Sequence, residues 1–193
     1  MAVSRTLFLV RHGQSVFNAY YAEHGRDPLI RDAPLSEIGR QQVEAARAKV
    51  GLLPAPDVVI SSPLTRAIQT SVGIFGPDRV EISALHRERV EHLCDVGHPP
   101  TALAGAFPGL AFDHLDDPWW HDEDRNAHGV AVEPLDVFAG RVEDFRGWLL
   151  RRPEAVMVVV GHGTFFHHLT GRPFANCEIA RVDLADWSVA ETF

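Results

Sequence analysis

The chain has 193 residues, of which 46% are hydrophobic and 23% charged, and these values are ordinary for one soluble globular domain with a real core. Its formal net charge of -8 argues against nucleic acid or an anionic membrane surface as the main partner. The sequence shows neither a run approaching the roughly twenty apolar residues of a membrane span nor the apolar core of a signal peptide. We therefore expect a cytoplasmic protein with a single domain over residues 1–193.

The first predicted strand is the unbroken apolar run Leu7–Val10, which is typical of a strand buried on both faces. Arg11, His12 and Gly13 follow it directly. Gly13 is expected to let the backbone turn sharply, so that His12 lies at the carboxyl end of the strand, where open α/β sheets bind ligands. A lone histidine in such a position is more often structural than catalytic, so this motif needs support from elsewhere in the chain.

The next segments alternate in type. Residues 14–34 predict a polar loop with aromatic side chains, and Ser36 predicts the N-cap of a helix with Gly39, Val43, Ala46 and Val50 on one face. A second strand is predicted over Asp57–Ile60.

A helix is predicted directly after this second strand. Ser62 is a good N-cap and Pro63 a good first helical residue, and the helix is expected to run towards Phe75. Arg66 then lies in the first turn, where it and the helix amino-terminus can face the edge that carries His12.

The second half repeats the alternation after one irregular segment. A short strand is predicted over residues 80–82, a long helix from Pro134 to Leu150, and a final strand over residues 176–184 that is antiparallel at or near an edge. Between the helix and the final strand, the apolar run Ala155–Val160 leads directly into Gly161, His162 and Gly163. Two strands that each deliver a histidine beside glycine, together with two arginines and a helix amino-terminus, indicate a phosphate site.

These motifs make the chain resemble the histidine phosphatase superfamily, which includes the cofactor-dependent phosphoglycerate mutases. The matching stretches occur in the family's order and are residues 9–15 with Asn18, residues 34–42, residues 61–70 and residues 158–163. The resemblance and the strand–helix alternation imply a three-layer α/β/α sandwich with a mostly parallel central sheet. Residues 86–132 break the alternation and are expected to form a cap insertion over the active site, where such segments shape the substrate pocket.

The resemblance also implies roles for individual residues. His12 would attack phosphorus and carry a phosphohistidine intermediate, which requires a neutral imidazole. Arg11, Arg66 and His162 would contact the phosphate oxygens and stabilise the transition state. Asn18 resembles a neutral donor in the same pocket, although a capping or turn asparagine is an almost equal alternative.

A leaving alkoxide needs a proton, so a carboxylic acid is expected in the site. The family places an acidic residue shortly after the third strand, and Glu88 best fits that position. Glu91 and Asp95 are near enough in sequence to compete for the role, and each of the three taken alone is more typical of a solvated surface charge.

No cofactor and no metal are expected. The segment 86–132 is rich in histidine and aspartate, but its spacing matches no metal motif and favours a solvated acidic loop. Trp119 and Trp120 could stack on a substrate ring, with core packing as the preferred interpretation. Cys94 and Cys177 lie far apart in sequence and are expected to be two reduced thiols.

Two departures from the mutases favour a phosphatase. Gln14 stands where the mutases usually carry glutamate, and Lys49, the only lysine, lies on the predicted first helix and away from any cap. The sequence therefore predicts a metal-independent phosphomonoesterase acting on a small phosphorylated metabolite. A phosphoglycerate mutase-type phosphotransferase and a catalytically weak phospho-ligand binding module are the alternatives, and the substrate and the oligomeric state stay open.

Overall fold

A computed structural model describes residues 5–51 and 53–193. Its strands are β1 Thr6–Arg11, β2 Val58–Ser61, β3 Val80–Ile82, β4 Val156–Gly161, β5 Ile179–Val182 and β6 Val189–Thr192. Its α-helices are α1 Val16–His24, α2 Glu37–Val50, α3 Thr65–Phe75, α4 Pro100–Ala106, α5 Leu135–Leu150 and α6 Gly163–Thr170.

The strands form one sheet in the order β3-β2-β4-β1-β5-β6. The first four strands in that order run parallel, whereas β5 is antiparallel to β1 and β6 is antiparallel to β5. Arg11 at the end of β1 is in register with Gly161 at the end of β4, and Ser61 of β2 pairs with Val160. The carboxyl ends of the three central parallel strands therefore meet at one edge of the sheet.

Two hydrophobic clusters cover the two faces of the sheet. Because side chains alternate along a strand, Leu7 and Leu9 of β1 face one cluster and Phe8 and Val10 face the other. The first cluster packs against α5 and α6, and the second packs against α2 and the end of α3. The predicted three-layer α/β/α sandwich with a mostly parallel sheet is confirmed.

The prediction of a loop over residues 14–34 was wrong in its first part, because α1 lies there. The Ser15 side chain caps α1 by accepting a hydrogen bond from the backbone amide of Asn18 at 3.1 Å. The Asn18 side-chain oxygen in turn accepts a hydrogen bond from the backbone amide of Ser15 at 3.1 Å. This reciprocal capping box stabilises a nine-residue helix whose own hydrophobic pattern is weak, which is why periodicity did not reveal it.

The predicted start of the second helix was also wrong. The helix α3 begins at Thr65 after Leu64, so Ser62 is not its N-cap and Pro63 precedes it. Asp32 takes the capping role from a distant loop, since its carboxylate accepts hydrogen bonds from the Thr65 amide at 2.8 Å and the Thr65 hydroxyl at 2.7 Å. Burial, the largest influence, raises the pKa of this Asp32 carboxyl despite those bonds.

The cap segment (residues 86–132) is largely irregular, with α4 as its one α-helix in the described structure. Its apolar side chains pack with Leu64 and with Ile68 of α3 in a third hydrophobic cluster. Trp119 and Trp120 are buried in that cluster, which favours the packing interpretation over a substrate platform. The final predicted strand corresponds to β5, and β6, which the sequence did not reveal, pairs along its outer edge.

In the described ranges, none of the helices combines the length and apolar character needed to cross a bilayer. Cys94 and Cys177 are both buried and free. Burial raises the pKa of the Cys177 thiol to about 12 and also raises that of Cys94, so both thiols stay protonated near neutral pH.

Candidate active site

His12 lies just beyond β1 at the carboxyl edge of the sheet and is almost fully buried. Its Nδ1 atom is 2.7 Å from the carbonyl oxygen of Gly13. A carbonyl oxygen can only accept, so Nδ1 carries the proton and Nε2 of the neutral ring keeps its lone pair. That lone pair accepts a hydrogen bond from Nε of Arg66 at 3.2 Å, and both residues line the cavity.

The electrostatic surroundings keep this imidazole neutral. Burial is the largest influence and lowers the pKa of His12 well below the ordinary histidine value, and the nearby charges of Arg66 and Arg11 lower it further. The hydrogen bond to Gly13 opposes this shift without reversing it. His12 therefore has the protonation state and the tautomer that a nitrogen nucleophile requires.

Close backbone packing holds the loop that follows His12. A Cβ atom at Gly13 would lie 2.7 Å from the carbonyl oxygen of Gly39, and one at Gly39 would lie 2.0 Å from that of Gln14. Glycine is therefore needed at both positions for space, and Gly13 does not adopt the left-handed backbone that a sharp glycine turn suggests. Thr70 accepts the Gly13 amide at 3.1 Å, which ties the loop to α3.

Gln14 contacts the scaffold and does not line the cavity. Its side-chain oxygen accepts a hydrogen bond from the Ser36 hydroxyl at 2.7 Å. Its backbone amide donates a hydrogen bond to the side-chain oxygen of Gln42 at 2.8 Å. The stretch 34–42, which the sequence presented only as a family motif, thus supports the loop after His12. The difference between Gln14 and a mutase glutamate consequently acts on this support and is not a difference in the cavity lining.

Arg66 crosses the site from the first turn of α3 and is buried. One terminal nitrogen donates to the Cys94 carbonyl at 2.7 Å, and the other forms an ion pair with Asp95 at 2.9 Å. The second Asp95 oxygen accepts the His92 amide at 3.1 Å. Asp95 is therefore a buried partner of Arg66, and its sequence description as a typical surface charge was wrong.

Arg11 and His162 flank His12. One terminal nitrogen of Arg11 donates a hydrogen bond to the Phe174 carbonyl at 2.6 Å. The ring centroid of His162 is 5.1 Å from that of His12. The Nε2 atom of His162 is 2.7 Å from the Ser62 hydroxyl oxygen, a contact that the sequence interpretation of Ser62 as a cap missed. His162 itself is fully buried and contributes no surface to the cavity.

Two nitrogens on these flanking residues are buried without a hydrogen-bond partner in the described structure, namely Nε of Arg11 and Nδ1 of His162. Such atoms are costly unless a ligand or water satisfies them. Similar atoms occur elsewhere, for example in His86 and Trp120, so the weight of this pair comes from the fact that both residues adjoin His12.

Glu88 approaches the site from the cap segment and reaches the amino-terminus of α6. Its carboxylate accepts the amides of Thr164 at 3.0 Å and of Phe165 at 3.1 Å, while also lining the cavity. Burial and the charge of Asp95 raise the pKa of Glu88, and together they outweigh the backbone hydrogen bonds that lower it. A carboxyl with a raised pKa that faces the cavity is suited to donate a proton.

The competing carboxylates have other partners. Glu91 is exposed at the cavity lining and forms an ion pair with Arg89. Asp95 uses both oxygens within its buried network with Arg66 and the backbone. Both oxygens of Glu88 also have partners, but these are neutral backbone amides, so within the described residues Glu88 is the one of the three candidates that is not held in an ion pair, and this favours it as the acid.

The cavity has a volume of about 490 Å³, and His12 forms part of its lining. Asn18 lines it, while its side-chain oxygen also completes the capping box of α1, so both interpretations of this residue describe real contacts. The lining also carries aromatic and imidazole groups, contributed by Phe17, His92, His167, His168 and Phe174. Only the first part of the cap segment, up to Asp95, contributes to the lining.

Of the expected site residues, the structure brings five to one cavity: Arg11, His12, Asn18, Arg66 and Glu88. His162 lies directly behind them, beside His12. Sequence reasoning missed Ser62 and Asn176, whose side-chain amide donates to the His12 carbonyl at 2.9 Å. Across residues 5–51 and 53–193, no three side chains of metal-binding type are grouped as an ion would require.

Comparison with known proteins gives a consistent result. The sequence matches the profile of the histidine phosphatase superfamily (branch 1) over residues 7–192. It is 29% identical to phosphoglycerate mutase-like protein 1 of Arabidopsis thaliana, with 96% of this chain and 83% of the relative covered. It is 30% identical to the glucosyl-3-phosphoglycerate phosphatase of Mycolicibacterium vanbaalenii, with 86% of this chain and 72% of that protein covered.

Solved structures agree at the level of the fold. The protein of open reading frame Rv3214 from Mycobacterium tuberculosis superposes with a TM-score of 0.64, covering 97% of this chain and 96% of that one. Its sequence identity of 18% supports the shared architecture alone.

Proposed function

The chain belongs to the histidine phosphatase superfamily, and from this membership we propose that it is a metal-independent phosphomonoesterase acting on a small phosphorylated metabolite through a phosphohistidine intermediate. The observation that carries the proposal is the state of His12. Its Nδ1 proton is committed to Gly13, its pKa is lowered, and its Nε2 lone pair accepts a hydrogen bond from Nε of Arg66 in the cavity lining, which a bound phosphoryl group would replace. This arrangement supports attack by Nε2 on phosphorus.

In the first step, the Nε2 lone pair forms a bond to phosphorus as the bond from phosphorus to the ester oxygen breaks. Glu88 gives its proton to the leaving alkoxide. In the second step, Glu88 takes a proton from water as the water oxygen attacks the phosphohistidine, the phosphorus–nitrogen bond breaks and inorganic phosphate forms. His12 returns to its neutral state, so protons and bonds balance over the cycle.

Phosphate binding is expected to fall to Arg11 and Arg66, with His162 at the back of the site and Asn18 at the front. The arginines supply fixed positive charge for the oxygens of the transferring group, where positioning and electrostatics contribute most of the catalysis. The partnerless Nε of Arg11 supports this assignment, because Arg11 lines the cavity and a phosphate oxygen could accept from it. These charges take the part that a metal ion has in other phosphatases.

The charges lining the cavity favour hydrolysis over mutase chemistry. Two arginines, Arg11 and Arg66, stand against three carboxylic acids, Glu88, Glu91 and Asp95, and Lys49 lies outside the cavity on α2. A bound phosphoryl group would engage both arginines, leaving no further arginine or lysine of the lining for a substrate carboxylate. A phosphoglycerate mutase-type transferase is the second candidate, supported by the relative named phosphoglycerate mutase-like protein 1.

The first test is hydrolysis of p-nitrophenyl phosphate in the presence of a chelator by the wild type, His12→Ala and His128→Ala. His128 is exposed and lies outside this cavity, so its variant is the matched control. We expect wild type and His128→Ala to be equally active and His12→Ala to lose at least about a hundredfold in kcat, as expected for a missing nucleophile. Acid quenching during turnover should trap phosphate on His12.

Other outcomes would redirect the assignment. Activity that chelation abolishes and a divalent ion restores would contradict the metal-independent mechanism, and a trapped phosphoserine or phosphoaspartate would contradict His12 as the nucleophile. A folded wild type that exchanges phosphate between phosphoglycerates in preference to releasing it would instead be a mutase. Binding of phosphate esters without either reaction would indicate the weak binding module.

A further inference from the structure

A buried cluster of charged side chains lies behind the segment that carries Glu88. Its centre is Glu133, which is fully buried and accepts hydrogen bonds from Arg141 at 2.6 and 3.0 Å and from Arg87 at 3.1 Å. Arg141 is also buried, and it extends from α5. Neither Glu133 nor Arg141 lines the cavity, and the proposed reaction uses neither.

Arg141 uses its remaining hydrogens on the backbone next to Glu88. One terminal nitrogen donates to the carbonyls of Leu85 at 3.0 Å and Arg87 at 2.7 Å, and the other lies 3.5 Å from the Glu88 carbonyl. One guanidinium thus binds three carbonyls within four consecutive residues. Its planar set of five donors suits it to this task better than the single ammonium of lysine.

Glu133 also contacts the same segment through its backbone. Its amide donates to the Val90 carbonyl at 2.8 Å, and its carbonyl accepts Nε of Arg89 at 2.8 Å. Residues 85–90 are therefore held from both ends by Glu133 and Arg141. The part of this segment from Arg87 to Val90 has no helix or strand of its own, so these contacts replace the support that regular structure would give.

The Glu88 side chain has a second, independent anchor. Its carboxylate accepts the amides of Thr164 and Phe165 at the start of α6. With its backbone fixed through α5 and its carboxylate fixed by α6, Glu88 has little freedom to move away from His12. Proton transfer requires donor and acceptor within hydrogen-bond reach, so small displacements of such a group are costly.

We propose that Arg141 and Glu133 are positioning residues that hold Glu88 in place to protonate the leaving group. The inference rests on the proposed function, because it gives Glu88 the role of general acid. A buried ion pair is seldom the most stable way to fill a core, since hydrophobic residues of equal volume often stabilise as much or more. The cluster is thus better explained by the geometry that it imposes on residues 85–90 than by stability.

The test uses two esters that differ mainly in their need for an acid. The leaving group of phenyl phosphate is phenolate, which is more basic than p-nitrophenolate. Its departure therefore depends more strongly on protonation by an acid than the departure of p-nitrophenolate does. For each ester, kcat/KM reports the transfer to His12 and is independent of the later hydrolysis of the intermediate. The variants are Arg141→Lys and Glu133→Gln, with Glu88→Gln as the reference for a missing acid.

Arg146→Lys is the matched control. Arg146 is another arginine of α5 that binds a backbone carbonyl, that of Leu169 at 2.7 Å, away from Glu88. We expect Arg141→Lys and Glu133→Gln to lower kcat/KM for phenyl phosphate by about tenfold more than for p-nitrophenyl phosphate, a fraction of the full general-acid effect. Glu88→Gln should show the same discrimination more strongly, and Arg146→Lys none.

The outcomes separate this inference from the proposed function. In one outcome, hydrolysis of p-nitrophenyl phosphate depends on His12, but Arg141→Lys and Glu133→Gln lower kcat/KM equally for both esters. This result would overturn the positioning role and leave the phosphatase assignment intact. Absence of discrimination in Glu88→Gln would overturn it too, because Arg141 would then have no acid to position. Failure of both variants to fold would assign the pair to the fold alone.

Discussion

His12 and Glu88 are ionisable groups whose pKa values are shifted in opposite directions. Burial lowers the pKa of His12 and raises that of Glu88, since in each case it disfavours the charged form. The proposed reaction needs both residues in their neutral forms, as nucleophile and as acid. Their shifts therefore widen the pH range in which both active forms coexist.

The pH profile of kcat/KM should report these two groups. Activity is expected to rise as pH increases through the lowered pKa of His12 and to fall as pH increases through the raised pKa of Glu88. Glu88→Gln cannot lose a proton, so we expect it to abolish the falling limb and to lower kcat/KM for an alkyl phosphate by about a hundredfold or more. The measurement is kcat/KM across the pH range for wild type and variant.

Glu91→Gln provides the control, because Glu91 lines the same cavity but is exposed and paired with Arg89. The falling limb in the pH profile of kcat/KM for Glu91→Gln should match that of the wild type. Ionisation of the substrate phosphate is common to all the enzymes and cancels when their profiles are divided. A limb that persists in Glu88→Gln and disappears in Glu91→Gln would give the acid role to Glu91.

At this scale, the sequence was most informative where a motif places a residue directly at a strand end. His12 and Arg11 follow from such local positions. The partnership of Asp95 with Arg66 and that of Ser62 with His162 join residues 29 and 100 positions apart, and no local pattern encodes them. His162 illustrates the limit, since its strand was predicted but its place behind the cavity lining depends on packing.

At the scale of elements, the contact between α2 and the loop after His12 should be sensitive to a single methyl group. An alanine at Gly39 would place Cβ 2.0 Å from the Gln14 carbonyl oxygen, so helix and loop must separate. Overpacking of this kind costs about 1–3 kcal/mol, more than the helix propensity gained by replacing glycine. We expect Gly39→Ala to lower the free energy of unfolding in urea and to lower kcat by displacing His12.

The matched variant is Gly140→Ala in α5. A Cβ atom there meets nothing within 4 Å, so the same substitution should stabilise the protein by about 0.5–1 kcal/mol through helix propensity and leave kcat unchanged. Equal effects of the two substitutions would show that the close approach of α2 is not needed.

The elements themselves were predictable where hydrophobic runs or caps are local. The runs of β1 and β4 and the Ser36 cap of α2 could be read directly. The start of α3 could not, because its cap comes from Asp32, 33 positions earlier. The helix α1 was missed since it depends on its capping box and tertiary contacts, with little amphipathic pattern of its own.

At the scale of the whole molecule, an acidic body surrounds a cavity whose fixed positive charges are those of two arginines. The net charge of -8 disfavours the approach of anions in general, and the cavity counters this only with Arg11 and Arg66. A phosphate dianion would engage both arginines. A second anionic group on the substrate would then find no further arginine or lysine in the lining, and the charge of Glu91 would repel it.

This balance of charges predicts a preference between two esters with the same carbon skeleton, glycerol 3-phosphate and 3-phosphoglycerate. Glycerol 3-phosphate has a hydroxymethyl group where 3-phosphoglycerate has a carboxylate. We expect the wild type to have the higher kcat/KM for glycerol 3-phosphate. Glu91→Gln should narrow that ratio by about two- to fivefold, since one exposed charge at close range contributes about 1 kcal/mol or less.

Glu123→Gln tests whether the effect is local. Glu123 is exposed in the cap segment away from the cavity, so its variant changes the net charge by the same amount as Glu91→Gln. If the repulsion arises at the cavity wall, Glu123→Gln should keep the wild-type ratio of kcat/KM between the two esters. If the repulsion arises from the acidic body as a whole, Glu123→Gln and Glu91→Gln should narrow that ratio equally. A wild type that prefers 3-phosphoglycerate would mean that imidazole groups such as His92 and His167 receive the carboxylate, because imidazoles supply most of the other side-chain nitrogens of the lining. Substrate choice would then be determined by the histidines of the wall, and the arginines would serve the phosphate alone.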